Sequence, residues 1–100
     1  MIVYNETIKI DLDIHDLWLR WMREEHIPKV MATGCFLNYK LYRIMVEDET
    51  DGISYAFQYF ANGMSNYFDY QKNHAAKLQR EGLDMFPGKY QAFSTILKEL

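Results

Sequence analysis

Two kinds of apolar spacing alternate along this chain, and their order limits what it can fold into more than any other feature does. Residues 2–10, IVYNETIKI, put Tyr4, Ile8 and Ile10 on one parity and Val3, Asn5, Thr7 and Lys9 on the other, the period-two pattern of a strand. Apolar residues then fall at Ile14, Leu17, Trp18, Trp21 and Met22, a helical stripe with Asp16, Arg20 and Glu24 on the outer face. Asp13 is placed to cap this helix. Pro28 has no N–H for a helical ladder, so a break is expected near His26 and Ile27. A short second piece over residues 28–33 follows, stopped by Gly34.

Residues 35–46 read as a long strand, residues 47–52 as an acidic turn ending in Asp-Gly, and residues 53–61 as the strand that completes a hairpin. A second helix is expected from Ser65, with Met64, Tyr67, Phe68, Gln71, His74, Ala75 and Leu78 on one face. Gly82 weakens it, and one further turn over residues 83–86 precedes Pro87-Gly88. Residues 90–97 form the last strand. The order β-α-β-β-α-β is the ferredoxin-like plan. It implies one α+β domain over residues 1–100, a four-stranded antiparallel sheet with both helices on one face. The other face is left bare. The second strand carries Phe36, Tyr42 and Ile44 on one parity and Leu37, Tyr39, Leu41 and Met45 on the other. A bare face of that kind calls for a partner sheet, so a homodimer through the sheet face, a dimeric α/β barrel, is expected.

The charge balance narrows the partners. A net charge of −3 and a pI near 5.5 argue against nucleic acid and anionic membrane surfaces. No apolar run approaches the roughly 20 residues that span a bilayer. Met1 leads straight into the first strand with no basic stretch and apolar core before it, so no signal peptide and a cytoplasmic location are expected. With one cysteine, Cys35, an internal disulfide and a zinc cluster of several thiolates are excluded, and the thiol is expected to be buried and inert. Residues 47–51 lack the ligand spacing of a calcium loop. No metal site and no cofactor are expected. Arg43 should pair with Glu47 or Glu49. No Gly-rich phosphate loop or Ser-His-Asp arrangement is present to name a reaction.

Candidate chemistry rests on histidine, the side chain most easily tuned to proton transfer near neutral pH. His26 lies at the expected break beside Pro28, where its ring either caps unpaired backbone groups or faces a cavity. His74 lies on the inward stripe, seven residues after Tyr67, and needs a buried partner or a ligand. His15, in the first turn of helix one, is expected to face solvent. Trp18, Trp21, Tyr39, Tyr55 and Tyr67, with Phe57 and Tyr59, are suited either to line an apolar pocket or to fill core and interface.

Glu25-His26-Ile27-Pro28 with Thr33-Gly34-Cys35-Phe36, then residues 59–64 with Tyr67 and His74-Ala75, and finally Phe86, Gly88-Lys89 and Ala92-Phe93 resemble an uncharacterised bacterial family of unknown function among the dimeric α/β-barrel proteins. The resemblance spans nearly the whole chain and implies the fold and the dimer. The wider group includes cofactor-free quinone-forming monooxygenases, muconolactone isomerases, stress-responsive barrels and haem-degrading enzymes. Its haem-degrading members use an Asn on the first strand, a Trp, and a His on the second helix. Asn5 and His74 match by element and type, but the nearest positions carry Tyr67 and Phe68 where Trp is required.

Three functions follow as expectations. The first is a homodimeric barrel binding a small apolar or aromatic molecule, including a cofactor-independent enzyme with His26 or His74 as acid or base. The second is a non-catalytic binding or regulatory module. The third is a haem-binding barrel.

Overall fold

In the computed structural model, which describes residues 1–100, strand β1 (Ile2–Ile10) lies inside a four-stranded sheet ordered β2-β3-β1-β4, with every neighbouring pair antiparallel. β2 is Asn38–Ile44, β3 is Ile53–Ala61 and β4 is Tyr90–Lys98. This is the ferredoxin-like arrangement. β2 is shorter than residues 35–46, because Cys35 and Phe36 turn down into the core instead of joining the ladder.

The register sorts the side chains by face. Tyr4, Glu6 and Ile8 of β1 stand opposite Tyr59, Phe57 and Tyr55 of β3 on the helix side. Tyr39, Leu41 and Arg43 of β2 and Tyr90, Ala92 and Ile96 of β4 extend that side. The open face carries Val3, Asn5, Thr7 and Lys9, with Tyr42, Phe60, Phe93 and Leu97 among its apolar members. No carboxylate occupies an open-face register position, and Tyr42, Phe93 and Leu97 are exposed.

Two helical rods cover the other face. The first begins with a 3-10 turn (Leu12–Ile14) and continues as α1 (His15–Trp21), a π-turn (Met22–His26) and α2 (Ile27–Ala32). The expected break at His26 and Ile27 does not occur, since both residues stay right-handed helical. The π-turn accounts for this. Its wider coil immediately upstream of Pro28 relieves the missing donor and the ring clash that would break a regular α-helix. Asp13 makes no cap; its carboxylate takes Lys89 Nζ at 2.8 Å, tying the first rod to the start of β4.

The second rod has the same construction: α3 (Met64–Tyr70), a π-turn (Gln71–Ala75) and α4 (Ala76–Met85). Gly82 interrupts nothing. It is buried, and Phe86 N–H bonds to its carbonyl. The core lies between the rods and the sheet. Trp18, Met22, Ile27, Val30, Ala75 and Leu78 from the rods meet Tyr4, Ile8, Tyr55, Phe57 and Tyr59 from the strands. Arg43 pairs with Glu49. No helix is long and apolar enough to cross a membrane.

Candidate functional site

A cavity of about 280 Å³ remains between the rods and strands β1 and β4. Glu6 and Ile8 line it from the sheet, Trp18, Trp21, Met22 and His26 from the first rod, and Leu78 and Gly82 from the second. Tyr90 and Ala92 reach it from β4. The walls are mostly apolar with a few polar groups, the usual make-up of a small-molecule site.

His26 closes the π-turn and is only 8% exposed. Its Nδ1 is buried without a hydrogen-bond partner, and its ring packs on Trp21 at 5.4 Å between centroids. It caps no helix end. Burial disfavours the imidazolium and pushes the pKa down to about 4; the Glu81 carboxylate opposes this, while Lys29 adds to it. At neutral pH the ring is therefore uncharged, with one N–H and one lone pair to offer.

Glu6 is the polar group of the sheet wall. It sits at mid-strand on the parity of Tyr4 and Ile8, a carboxyl among core positions. Burial pushes its pKa up, and the hydrogen bond from Tyr4 Oη, at 3.2 Å, works in the opposite sense. Tyr4, Tyr59, Tyr70 and Tyr90 all have raised phenol pKa values, first because they are buried and further because the Glu6 carboxylate is near. Sequence reasoning passed over Glu6. The available signal was its parity, which puts an acid where the alternation demands an apolar residue.

The other sequence candidates separate. Trp18 and Trp21 line the cavity. Tyr39, Tyr55 and Tyr67 do not. Tyr67 packs against Tyr4 at 5.5 Å, Tyr39 against Tyr59 at 6.4 Å, and Tyr55 against Trp18 at 5.7 Å. His74 opens onto a different, polar concavity with Lys29, Asn73, Lys77 and Glu81. His15 is not solvent-facing: its ring stacks on Tyr55, with Nε2 2.6 Å from Tyr55 Oη and Nδ1 2.8 Å from Asp16. Asn5 bonds Thr7 on the open face, so the sheet separates it from His74 and the two cannot flank one haem.

A family model for a domain of unknown function, DUF4286, matches residues 1–100. The chain belongs to that family. No curated protein matches this DUF4286 chain. Among solved structures it is similar to an EthD-family protein of Bacillus halodurans, at 12% identity and TM-score 0.69, with all of both chains covered. It is similar to a dimeric ferredoxin-like protein from an uncultured marine organism, at 11% identity and TM-score 0.65, covering all of this chain and 98% of that one. A monooxygenase of Streptomyces coelicolor in complex with nanaomycin D matches at 14% identity and TM-score 0.61, covering 99% of this chain and 88% of that one. At these identities the likeness establishes the fold of the DUF4286 chain, a ferredoxin-like one.

Proposed function

We propose that this protein is a homodimeric α/β barrel that binds a small apolar or aromatic molecule in the cavity between Glu6 and His26, and that it acts on that molecule by proton transfer without a cofactor. The buried, uncharged imidazole of His26 on the cavity wall carries the reading. A neutral imidazole in a mostly apolar wall offers a hydrogen bond to a ligand hydroxyl or carbonyl. Glu6 supplies the second polar group. A carboxyl with a raised pKa is a better base near neutral pH than an ordinary one.

The roles follow from the walls. Trp18, Trp21 and Met22 bury the apolar body of the ligand. The neutral His26 ring holds an oxygen of the ligand by a hydrogen bond. Glu6 takes a proton from the carbon or hydroxyl acid held against the sheet, and Tyr4 Oη steadies the carboxylate before that transfer. The solved neighbour that holds nanaomycin D makes that compound the first to try. A second copy on the open sheet face would complete the barrel, as the dimeric ferredoxin-like neighbour suggests.

The test is a screen of hydroxylated aromatics, read by quenching of tryptophan fluorescence and by proton–deuterium exchange into the bound compound. His26→Gln should weaken binding at least tenfold. Glu6→Gln should keep binding and lose exchange. Binding untouched by both substitutions would overturn the site. Binding that depends on His26, with no exchange in any compound, would leave the non-catalytic binding module as the function.

A further inference from the structure

A second chemical cluster lies away from the cavity, where the second rod meets the chain leaving the first. Gly34, with φ +76°, turns the chain after α2 and sets Cys35 against α3. The buried Cys35 thiol donates to Asp69 Oδ2 at 3.2 Å. Asn73 Nδ2 holds the other oxygen of the same carboxylate. One ligand atom from each of Cys35, Asp69 and His74 lies within 4.8 Å of the other two.

The π-turn Gln71–Ala75 is what brings Asp69 and His74 together. Residues five apart on an α-helix, at 3.6 per turn, point roughly 140° away from each other. The π-turn begins two residues after Asp69 and rotates less per residue than an α-helix, which brings His74 round toward the face of Asp69. Such turns recur at functional sites, and nothing in the Glu6–His26 cavity uses this one.

We propose that Cys35, Asp69 and His74 form a binding site for one divalent transition-metal ion of the zinc type, with water in the fourth position. The donors are a thiolate sulfur, a carboxylate oxygen and an imidazole nitrogen. The thiolate turns the set away from magnesium and calcium, which take oxygen ligands. Tetrahedral zinc has metal–ligand lengths of about 2.0–2.3 Å, which put its ligand atoms roughly 3.3–3.8 Å apart. The Cys35–Asp69 pair is already close to that spacing, and the half-buried His74 has a ring nitrogen within 4.8 Å of both, which binding must draw closer. On binding, the sulfur–hydrogen bond is replaced by a sulfur–metal bond and the proton leaves to solvent. The two anionic ligands balance the charge of the ion. Lys72, Lys77 and Lys29 face the surroundings of the site and disfavour a cation, and Glu81 offsets them in part. Asn73 holds the Asp69 carboxylate, as outer partners of metal ligands commonly do.

Untagged protein, stripped with chelator and kept reduced, is titrated with cobalt(II) as the probe and then with zinc(II) in competition. A thiolate-to-cobalt charge-transfer band in the near ultraviolet should saturate at one equivalent per chain and disappear as zinc displaces cobalt. Cys35→Ser should abolish the band, and Asp69→Asn and His74→Ala should each weaken binding at least tenfold. Asp69 is exposed, so its variant should fold normally, with circular dichroism as the check. No charge-transfer band in the folded wild-type protein would overturn the proposal. So would cobalt affinity that is unchanged in the Asp69 variant and in at least one of the others.

Discussion

Tyr90 keeps its hydroxyl where a side chain on Gly82 would stand: a β-carbon at position 82 would lie 2.8 Å from the Tyr90 oxygen and 3.8 Å from the edge of the Trp21 ring. All three residues line the cavity. The missing side chain on α4 therefore shapes the far wall of the site and does nothing to end the helix.

Gly82→Ala follows from that contact. Alanine favours a helix interior by about 1 kcal/mol over glycine, and the clash is with the far end of a tyrosine that can swing aside. Global stability should change by less than about 1 kcal/mol, while Tyr90 is pushed toward the cavity and ligand affinity falls. Urea unfolding and a ligand titration on the same variant check the two halves. A loss above about 3 kcal/mol would mean that Tyr90 has nowhere to go.

Trp18 and Trp21 share one helical stripe yet should differ in cost. Trp18 is 1% exposed and packs on Phe57 and Tyr55, so Trp18→Ala should cost about 3–5 kcal/mol. Trp21 is half-buried on the cavity wall against His26 and Phe86. Trp21→Ala should cost less than Trp18→Ala and remove most of the ligand-induced fluorescence change. Equal destabilisation at both positions would show that Trp21 belongs to the core and not to a binding wall.

The element order and the helix-side parity of β1 and β3 were legible because period-two and helical spacing are properties of sequence alone. The π-turns were not. Pro28 announces a broken ladder, but whether the chain stops or widens depends on the packing of Met22 and Ile27 against the sheet, which spacing does not encode. Glu6 was missed because its half-burial at the cavity wall is a tertiary fact, and at this site one residue contradicts the local pattern. His26 and His74 are alternative acid–base candidates in sequence. The sheet and rods put them in separate concavities because each belongs to its own π-turn.

The pH dependence of stability should have two opposed limbs. His26 titrates near 4 in the folded protein against an ordinary 6.5, so between those values the unfolded chain binds a proton that the folded one refuses. Its contribution is complete above about pH 6.5 and is lost as pH falls toward about 4, a gap worth about 3 kcal/mol. Glu6 acts in the other direction. Its folded pKa lies above the ordinary 4.5, so its contribution is complete below that value and is lost as pH rises through the folded one. His26→Gln should therefore flatten the acid limb, and Glu6→Gln should raise stability at neutral pH. Denaturant unfolding across this range reads both. An acid limb unchanged by His26→Gln would show that the loss of stability comes from elsewhere.

The open sheet face should associate with a second copy. Four strands about 4.8 Å apart and nine residues at about 3.3 Å give each copy roughly 19 by 30 Å of surface. Two such faces bury on the order of 1,100 Å² before side-chain relief is added, just short of the 1,200–2,000 Å² standard class. Lys9 and Lys40 are the charged groups at its register positions, set among Asn, Gln, Ser and Thr, and Tyr42, Phe60, Phe93 and Leu97 supply the apolar area a second copy would cover. Sedimentation at micromolar concentration should give twice the chain mass. Tyr42→Glu with Leu97→Glu places new charges at two exposed positions of that face, where a single chain tolerates them within about 0.5 kcal/mol each. The double variant should sediment as a folded monomer. A wild-type monomer, or a dimer indifferent to both charges, would mean that the two sheets do not face each other.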